Sequence, residues 1–330
     1  MANFVRLSIS VAMCTYNGSR FLKEQLDSIA CQRRLPDELI ICDDRSADDS
    51  AQIVTQFARQ VRFLVRFEVN EETLGSTKNF EKAISISDGA IVVLADQDDI
   101  WYPNKLEQIQ RAFLRSPKAV AAFSEADVID DNSLPLGYRL WESFSFPPGE
   151  QKRFAAGQAL NILIKHPVVT GAAMAFRREF FPLLTPIPAN DIHDRWISFL
   201  LAACGPYELI PEPLMRYRRH HNQQIGMGAR TFRDRFARAR ITGSELYASE
   251  IARFRQLYTR LGLHRTEMTG AEYAMGEIEN KISHLEHRLQ LREQSIARVP
   301  HIFREVCKHS YWRYGAGWES VAKDLFMNKQ

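Results

Sequence analysis

The chain has 330 residues, 45% of them hydrophobic and 25% charged, and a formal net charge of +3. Such proportions exclude a disordered chain, and the length allows one large domain plus an extension. The charge is too small to argue for nucleic acid, and no uncharged run approaches the roughly 18 residues needed to cross a bilayer.

The five cysteines (Cys14, Cys31, Cys42, Cys204 and Cys307) are scattered and lack metal-ligand spacing, which fits a reducing compartment. With no apolar leader at its start, the chain is expected to act in the cytoplasm. Contact with the inner face of the plasma membrane is a further expectation, from a stretch holding Arg230, Arg233, Arg235, Arg238 and Arg240 and from an aromatic tail. A solvated helix face is the plainer reading of the arginines.

In chain order, residues 7–14 form an apolar strand followed by the turn-forming Thr15-Tyr16-Asn17-Gly18-Ser19, and Phe21, Leu22, Leu26 and Ile29 then fall at helical spacing. A second strand, residues 38–42, ends at Asp43-Asp44, and a helix carrying Ile53, Val54 and Phe57 follows. Residues 62–69 read as a third strand, 79–86 as a helix and 90–95 as a fourth strand. Strand and helix alternating with short connections predict an α/β fold: a mainly parallel, Rossmann-like sheet with helices on both faces. Ligands bind such sheets beyond the carboxyl ends of the strands, where Thr15-Tyr16, Asp43-Asp44 and the acidic run 96–99 all lie.

That acidic run, Asp96-Gln97-Asp98-Asp99, follows the fourth strand directly. Mg²⁺ and Mn²⁺ prefer oxygen ligands, and Mg²⁺ takes only one or two protein carboxylates when it also holds a diphosphate. An extended backbone would turn Asp96 and Asp98 to the same side. The competing reading is that these residues cap the helix beginning at Asn104-Lys105-Leu106-Glu107.

Beyond residue 228 the pattern changes. Phe232, Phe236, Leu246, Ile251, Phe254, Leu257 and Leu261 sit at helical spacing, and Met275, Ile278, Ile282, Leu285, Leu289 and Ile296 follow a near-heptad. A helical hairpin over 229–330 is expected, with Gly262 or Thr269-Gly270 at its turn. Its apolar seam packs either within the chain or between two protomers of a homodimer. Tyr311, Trp312, Tyr314, Trp318 and Phe326 in the tail suit docking on the core better than a membrane interface.

These motifs together resemble glycosyltransferase family 2, the inverting enzymes of the GT-A fold. The resemblance rests on Thr15-Tyr16-Asn17, on Asp43-Asp44-Arg45-Ser46, and on Asp96-Gln97-Asp98-Asp99 with Trp101 and Pro103. It continues at His193-Asp194-Arg195-Trp196, similar to the segment bearing that family's base. Tyr217-Arg218-Arg219-His220-His221-Asn222, with Gly226, is similar to the closing segment of a bacterial rhamnosyltransferase-like branch. It covers residues 7–228, the expected GT-A domain (1–228), and only weakly constrains 229–330.

The resemblance implies roles for individual residues. Thr15, Tyr16, Asn17 and Asp44 would form the nucleotide site, Tyr16 stacking on the base and Asp44 accepting the N3–H of uracil or thymine. Asp96 would meet the ribose or a metal-bound water, Asp98 and His220 (or His221) would ligate Mn²⁺ or Mg²⁺, and Lys78, Arg218 and Arg219 would hold the diphosphate. Asp194 would be the general base, with Asp191 its rival, and the small residues of Thr170-Gly171-Ala172-Ala173 would leave room for the acceptor or pack as a core strand. Arg45 departs from the glycine common at that position, so the turn either avoids a positive φ or is strained.

The expected activity is metal-dependent, inverting transfer of a sugar to a hydroxyl of a growing surface polysaccharide, such as O-antigen or capsule, or of a lipid-linked oligosaccharide. The expected donor is dTDP-rhamnose or another pyrimidine nucleoside diphosphate sugar such as a UDP-hexose. A nucleotidyltransferase would carry a glycine-rich phosphate loop after the first strand, which residues 15–19 lack. A noncatalytic nucleotide-sugar-binding scaffold is the remaining alternative.

Overall fold

The structure is a computed structural model that describes residues 6–220, 244–291 and 298–326. Two compact units emerge, Met1–Gly157 with Val168–Gly226, and Gln158–Pro167 with Met227–Gln330. Nothing in the sequence set the short segment Gln158–Pro167 apart from its surroundings.

The first unit is built on one sheet. Strands β1 (Ile9–Thr15), β2 (Glu38–Asp43), β3 (Leu64–Val69) and β4 (Ile91–Ala95) alternate with helices α1 (Ser19–Ala30), α2 (Ser50–Ala58) and α3 (Ser76–Ser85). All pair in parallel in the order β3-β2-β1-β4. The continuous apolar runs of β1, β2 and β4 are buried because helices cover both faces. Right-handed crossovers that first move outward to β3 and then return to β4 place α1 and α2 on one face and α3 on the other. The order therefore reverses between β1 and β4, where open α/β sheets form their ligand crevice.

Beyond β4 the sheet is mixed. The chain adds β5 (Ile100–Trp101), helix α4 (Lys105–Arg115), β6 (Ala121–Ile129), β7 (Pro135–Arg139), β8 (Met174–Arg177) and β9 (Tyr207–Arg218). Strand β8 is antiparallel to both β4 and β6, β6 and β9 are parallel, and β5 returns antiparallel to β9. Two antiparallel steps from β4 to β6 bring the carboxyl end of β6 to the edge where β1, β2 and β4 end.

The second unit contains the helices Ser244–Leu263 and Ala271–Gln290, packed as a hairpin. The turn spans 264–270, so Gly270 marks it while Gly262 lies inside the first arm. Ile278 and Leu285 are buried, and so is a charged stripe of Glu277, Lys281, His284 and Arg288. Arg288 makes a bidentate pair with Asp324 at 2.7 and 2.9 Å, Tyr311 donates to the same carboxylate, and His284 Nδ1 lies 2.7 Å from Glu305. Tyr311 and Tyr314 are docked as expected, whereas Trp318 and Phe326 are 68% and 77% exposed. Among the described residues no helix is long and apolar enough to cross a membrane. The arginines 230–240, and Phe232, Phe236, His221, Asn222, Gly226 and Ile296, lie outside the described residues.

Candidate active site

Register brings three strand ends to one level, because Thr15 pairs with Asp43 and Met13 with Ala95. The loop after β1 is clasped by the loop after β4. Tyr16 donates its N–H to Gln97 Oε1 at 2.9 Å, and Gln97 Nε2 donates to the Tyr16 carbonyl at 3.1 Å. Gly18 permits this contact, since a Cβ there would stand 2.1 Å from Gln97 Oε1.

Several residues expected to touch the donor serve the loops instead. Thr15 is buried and its hydroxyl donates to Asp43 at 2.7 Å, so it positions the Asp pair and is not turned to a nucleotide. Asp43 also accepts from the N–H and hydroxyl of Ser46. Asn17 sits at φ 46 and its Oδ1 accepts the Ala47 N–H, joining the loops after β1 and β2. Asp44 accepts from Asn70 Nδ2 and Leu74 N on Oδ1 and from Gly75 N on Oδ2, and Oδ2 keeps one acceptor position. The cap of the first helix is Asp48, which accepts Ser19 N. Arg45 adopts φ 63, so the turn takes the strained alternative, a left-handed conformation held by a non-glycine residue. The Tyr16 side chain is 47% exposed and open for stacking.

The acidic run does not continue the strand. The chain turns at Gln97-Asp98, and this turn, not strand alternation, gathers ligand atoms of Asp96, Asp98 and Asp99 within 4.8 Å of one another. Asp98 Oδ2 lies 2.8 Å from His220 Nε2. Burial, with Asp98 and Asp194 next in weight, pushes the Asp96 carboxyl up to about 7. Burial and the charges of Asp98 and Asp96 likewise hold Asp99 well above the carboxylate range. Asp99 does not cap the next helix; its Oδ1 accepts Arg218 N–H at 3.0 Å, and its buried Oδ2 has no hydrogen-bond partner. A divalent cation fits this crowding of negative charge, since hard dications prefer such oxygen ligands.

One buried cation stands against the cluster. Lys105, the first residue of α4, is 0% exposed, donates to the Ala172 carbonyl at 2.7 Å, and lies 4.2 Å from the centre of the Trp101 ring. Burial pulls its pKa down to about 7 against the opposing pull of Asp99 and Asp96. Sequence patterning missed it. The available signal was a cation in the first turn of a helix, where the helix dipole disfavours positive charge.

Arg218 is a correction. Its side chain is buried and donates from Nε to the Asp98 carbonyl at 2.7 Å, from one terminal nitrogen to Ser133 Oγ and the Asp130 carbonyl, and from the other to Glu24 at 2.6 Å. With its donors engaged this way, it braces the acid loop and is not a diphosphate clamp. Arg219 donates to Tyr138. Lys78 is paired with Glu81 at 2.6 Å, so its geometry lends no support to a phosphate role. Tyr217, which sequence reading passed over, lies within electrostatic reach of Asp99, Asp96, Asp98 and Asp194, and burial is the main reason its phenol is held neutral.

Asp194 lies in the first turn of the helix His193–Cys204 and accepts the Gly171 N–H at 3.0 Å. Its charge is felt at Asp96. Asp191, the other candidate, is buried and bridged to Arg195 at 2.7 Å. The Gly171–Ala173 turn is packed, not open to an acceptor: all three residues are buried, and a Cβ on Gly171 would meet His193 Nε2 at 2.8 Å.

Residues 10–183, more than half of the chain, match the family model described as Glycosyl transferase family 2. The chain belongs to that family. Among relatives of this family 2 chain, an uncharacterised protein of Mycobacterium tuberculosis is 29% identical over 215 residues, 64% of this chain and 59% of the relative. The chain thus spans about three fifths of that protein's length. The dTDP-rhamnosyl transferase RfbG of Shigella flexneri is 25% identical over 254 residues, 73% of this chain and 82% of RfbG. Staphylococcus aureus TarS, solved in complex with UDP-GlcNAc, aligns with TM-score 0.60 and 15% identity over 84% of this chain and 72% of the solved one, and shares the GT-A fold.

Proposed function

We propose that the chain is an inverting glycosyltransferase that takes a sugar from a pyrimidine nucleoside diphosphate donor and places it on a hydroxyl of a growing glycan. The observation that supports this is the gathering of Asp96, Asp98 and Asp99 within 4.8 Å of one another in a family 2 chain, with the charge of Asp194 felt at Asp96. Inversion requires a base on the acceptor side, opposite the departing diphosphate. Asp194 serves as that base, taking the acceptor hydroxyl's proton as the new bond forms, a contribution of about 10²- to 10⁴-fold. Asp98 and His220 hold Mn²⁺ or Mg²⁺, which when bound stabilises the negative charge left on the diphosphate. Tyr16 stacks on the base, and the spare acceptor position of Asp44 takes its N3–H.

The donor we favour is dTDP-rhamnose, a reading supported by the similarity to RfbG over most of both chains. A UDP-hexose is the alternative, in keeping with the UDP-GlcNAc bound by TarS on the same fold. The acceptor is a surface polysaccharide or lipid-linked oligosaccharide. The test is thermal stability with dTDP, UDP and their sugars, each with and without Mn²⁺; a ligand at 100 times its Kd stabilises by about 2.7 kcal/mol. A Mn²⁺-dependent rise in Tm with dTDP or UDP compounds is expected. No rise with any of them would overturn the reading.

A further inference from the structure

We propose that Lys105 is a positioning residue that couples the acid cluster to the base through one buried ammonium group, an inference that rests on the glycosyl-transfer reading. Lys105 Nζ donates to the Ala172 carbonyl at 2.7 Å, and in the same three-residue turn Gly171 N donates to Asp194 Oδ2 at 3.0 Å. His193, stacked on Phe80 at 4.1 Å, packs closely on this turn from the helix that bears Asp194: a Cβ added at Gly171 would stand 2.8 Å from its Nε2. Lys105 thus closes the turn from the sheet side while His193 closes it from the helix side.

The charge of Lys105 has a second use. A lysine with no exposed surface loses its hydration and survives as a cation only where negative charge repays the loss. Here Asp99 and Asp96 oppose the larger effect of burial, and the Trp101 face adds a cation–π contact at 4.2 Å. Lys105 in turn offsets part of the repulsion among carboxylates gathered within 4.8 Å. Lys105 Nζ thus bonds the turn that holds Asp194 and lies within electrostatic reach of Asp96 and Asp99, although Lys105 and Asp194 are 89 positions apart in the chain.

The two roles predict opposite effects when the ammonium is removed. Lys105→Met frees the turn, which moves Asp194, and it leaves the cluster more negative, which favours a dication. The experiment compares wild type, Lys105→Met and Lys105→Gln in the full chain; the glutamine amide can still donate to a carbonyl but carries no charge. Mn²⁺ binding to the protein alone is followed by electron paramagnetic resonance, and transfer kinetics are measured with the donor identified above. The expected result is tighter Mn²⁺ binding in both variants, with kcat falling about tenfold or more in Lys105→Met at little change in donor KM, and falling less in Lys105→Gln. Weaker Mn²⁺ binding in the variants that fold, or a kcat in Lys105→Met within twofold of wild type, would overturn the proposal. If Lys105→Met does not fold, the sign of the Mn²⁺ shift in Lys105→Gln decides. A wild-type chain that binds no sugar nucleotide would instead overturn the glycosyl-transfer reading, independently of the Mn²⁺ result.

Discussion

Asp194 accepts the Gly171 N–H on Oδ2. Replacement by Asn keeps an oxygen to accept that bond, so the fold should persist while the proton acceptor is lost. We expect Asp194→Asn to lower kcat by about 10²- to 10⁴-fold with donor affinity and Tm unchanged. Steady-state kinetics together with a thermal melt check this, and unimpaired transfer would remove Asp194 from the mechanism. At this scale residue type nominated Asp98, His220 and Asp194, whose roles are proposals. Partners were not readable: Thr15, Asn17 and Arg218 have the right chemistry for donor contact, yet their polar atoms meet other parts of the chain.

The closing segment of β9 shows the difference at the scale of elements. Its last residue, Arg218, joins α1 through Glu24, the acid loop through the Asp98 carbonyl and the β6–β7 turn through Asp130 and Ser133. Removing the guanidinium unpairs the Glu24 carboxylate, the Ser133 hydroxyl and the Asp98 and Asp130 carbonyls around a position that is itself buried. Arg218→Met should therefore destabilise the chain by about 3 kcal/mol, read as a lower urea midpoint. A raised donor KM with unchanged stability would instead restore the diphosphate role. The β–α alternation was visible because its apolar runs repeat at the periods of strand and helix, and residues 38–43, 64–69 and 91–95 lie within one or two residues of the expected strands. The mixed strands β5, β6, β8 and β9 were not visible, since pairing between segments as far apart as Ile100 and Arg216 leaves no local period.

Across the whole molecule, the second unit buries charge along a helical hairpin whose sequence showed only an apolar seam. Burial pulls Lys281 from its ordinary 10.5 to about 7, with Glu250 opposing and Arg288 and Arg253 assisting. His284 is also held below its ordinary value, first by burial. A cation whose pKa is depressed on folding is carried more fully by the unfolded chain, so stability rises with pH between about 7 and 10.5 and the destabilisation is complete below about 7. His284 extends the same sign toward acid. Stability should climb from pH 6 to 8.5, at no more than about 1.4 kcal/mol per pH unit for one proton. Lys281→Met should flatten the climb above pH 7. Denaturant unfolding at each pH measures it, and a slope unaltered in Lys281→Met would show that Lys281 is not its source.

Local pattern alone determined the strand–helix alternation, the placing of three polar groups at strand ends and the residue types of the candidate site, because apolar period and side-chain chemistry are local properties. Tertiary structure alone decided which polar atoms are already satisfied within the chain. Arg218 and Thr15 are enclosed, Asp191 is paired, and Lys105 faces carboxylates that a helix-start reading would never have placed beside it. Burial and hydrogen-bond partners arise from segments far apart in the chain, so no window of sequence contains them.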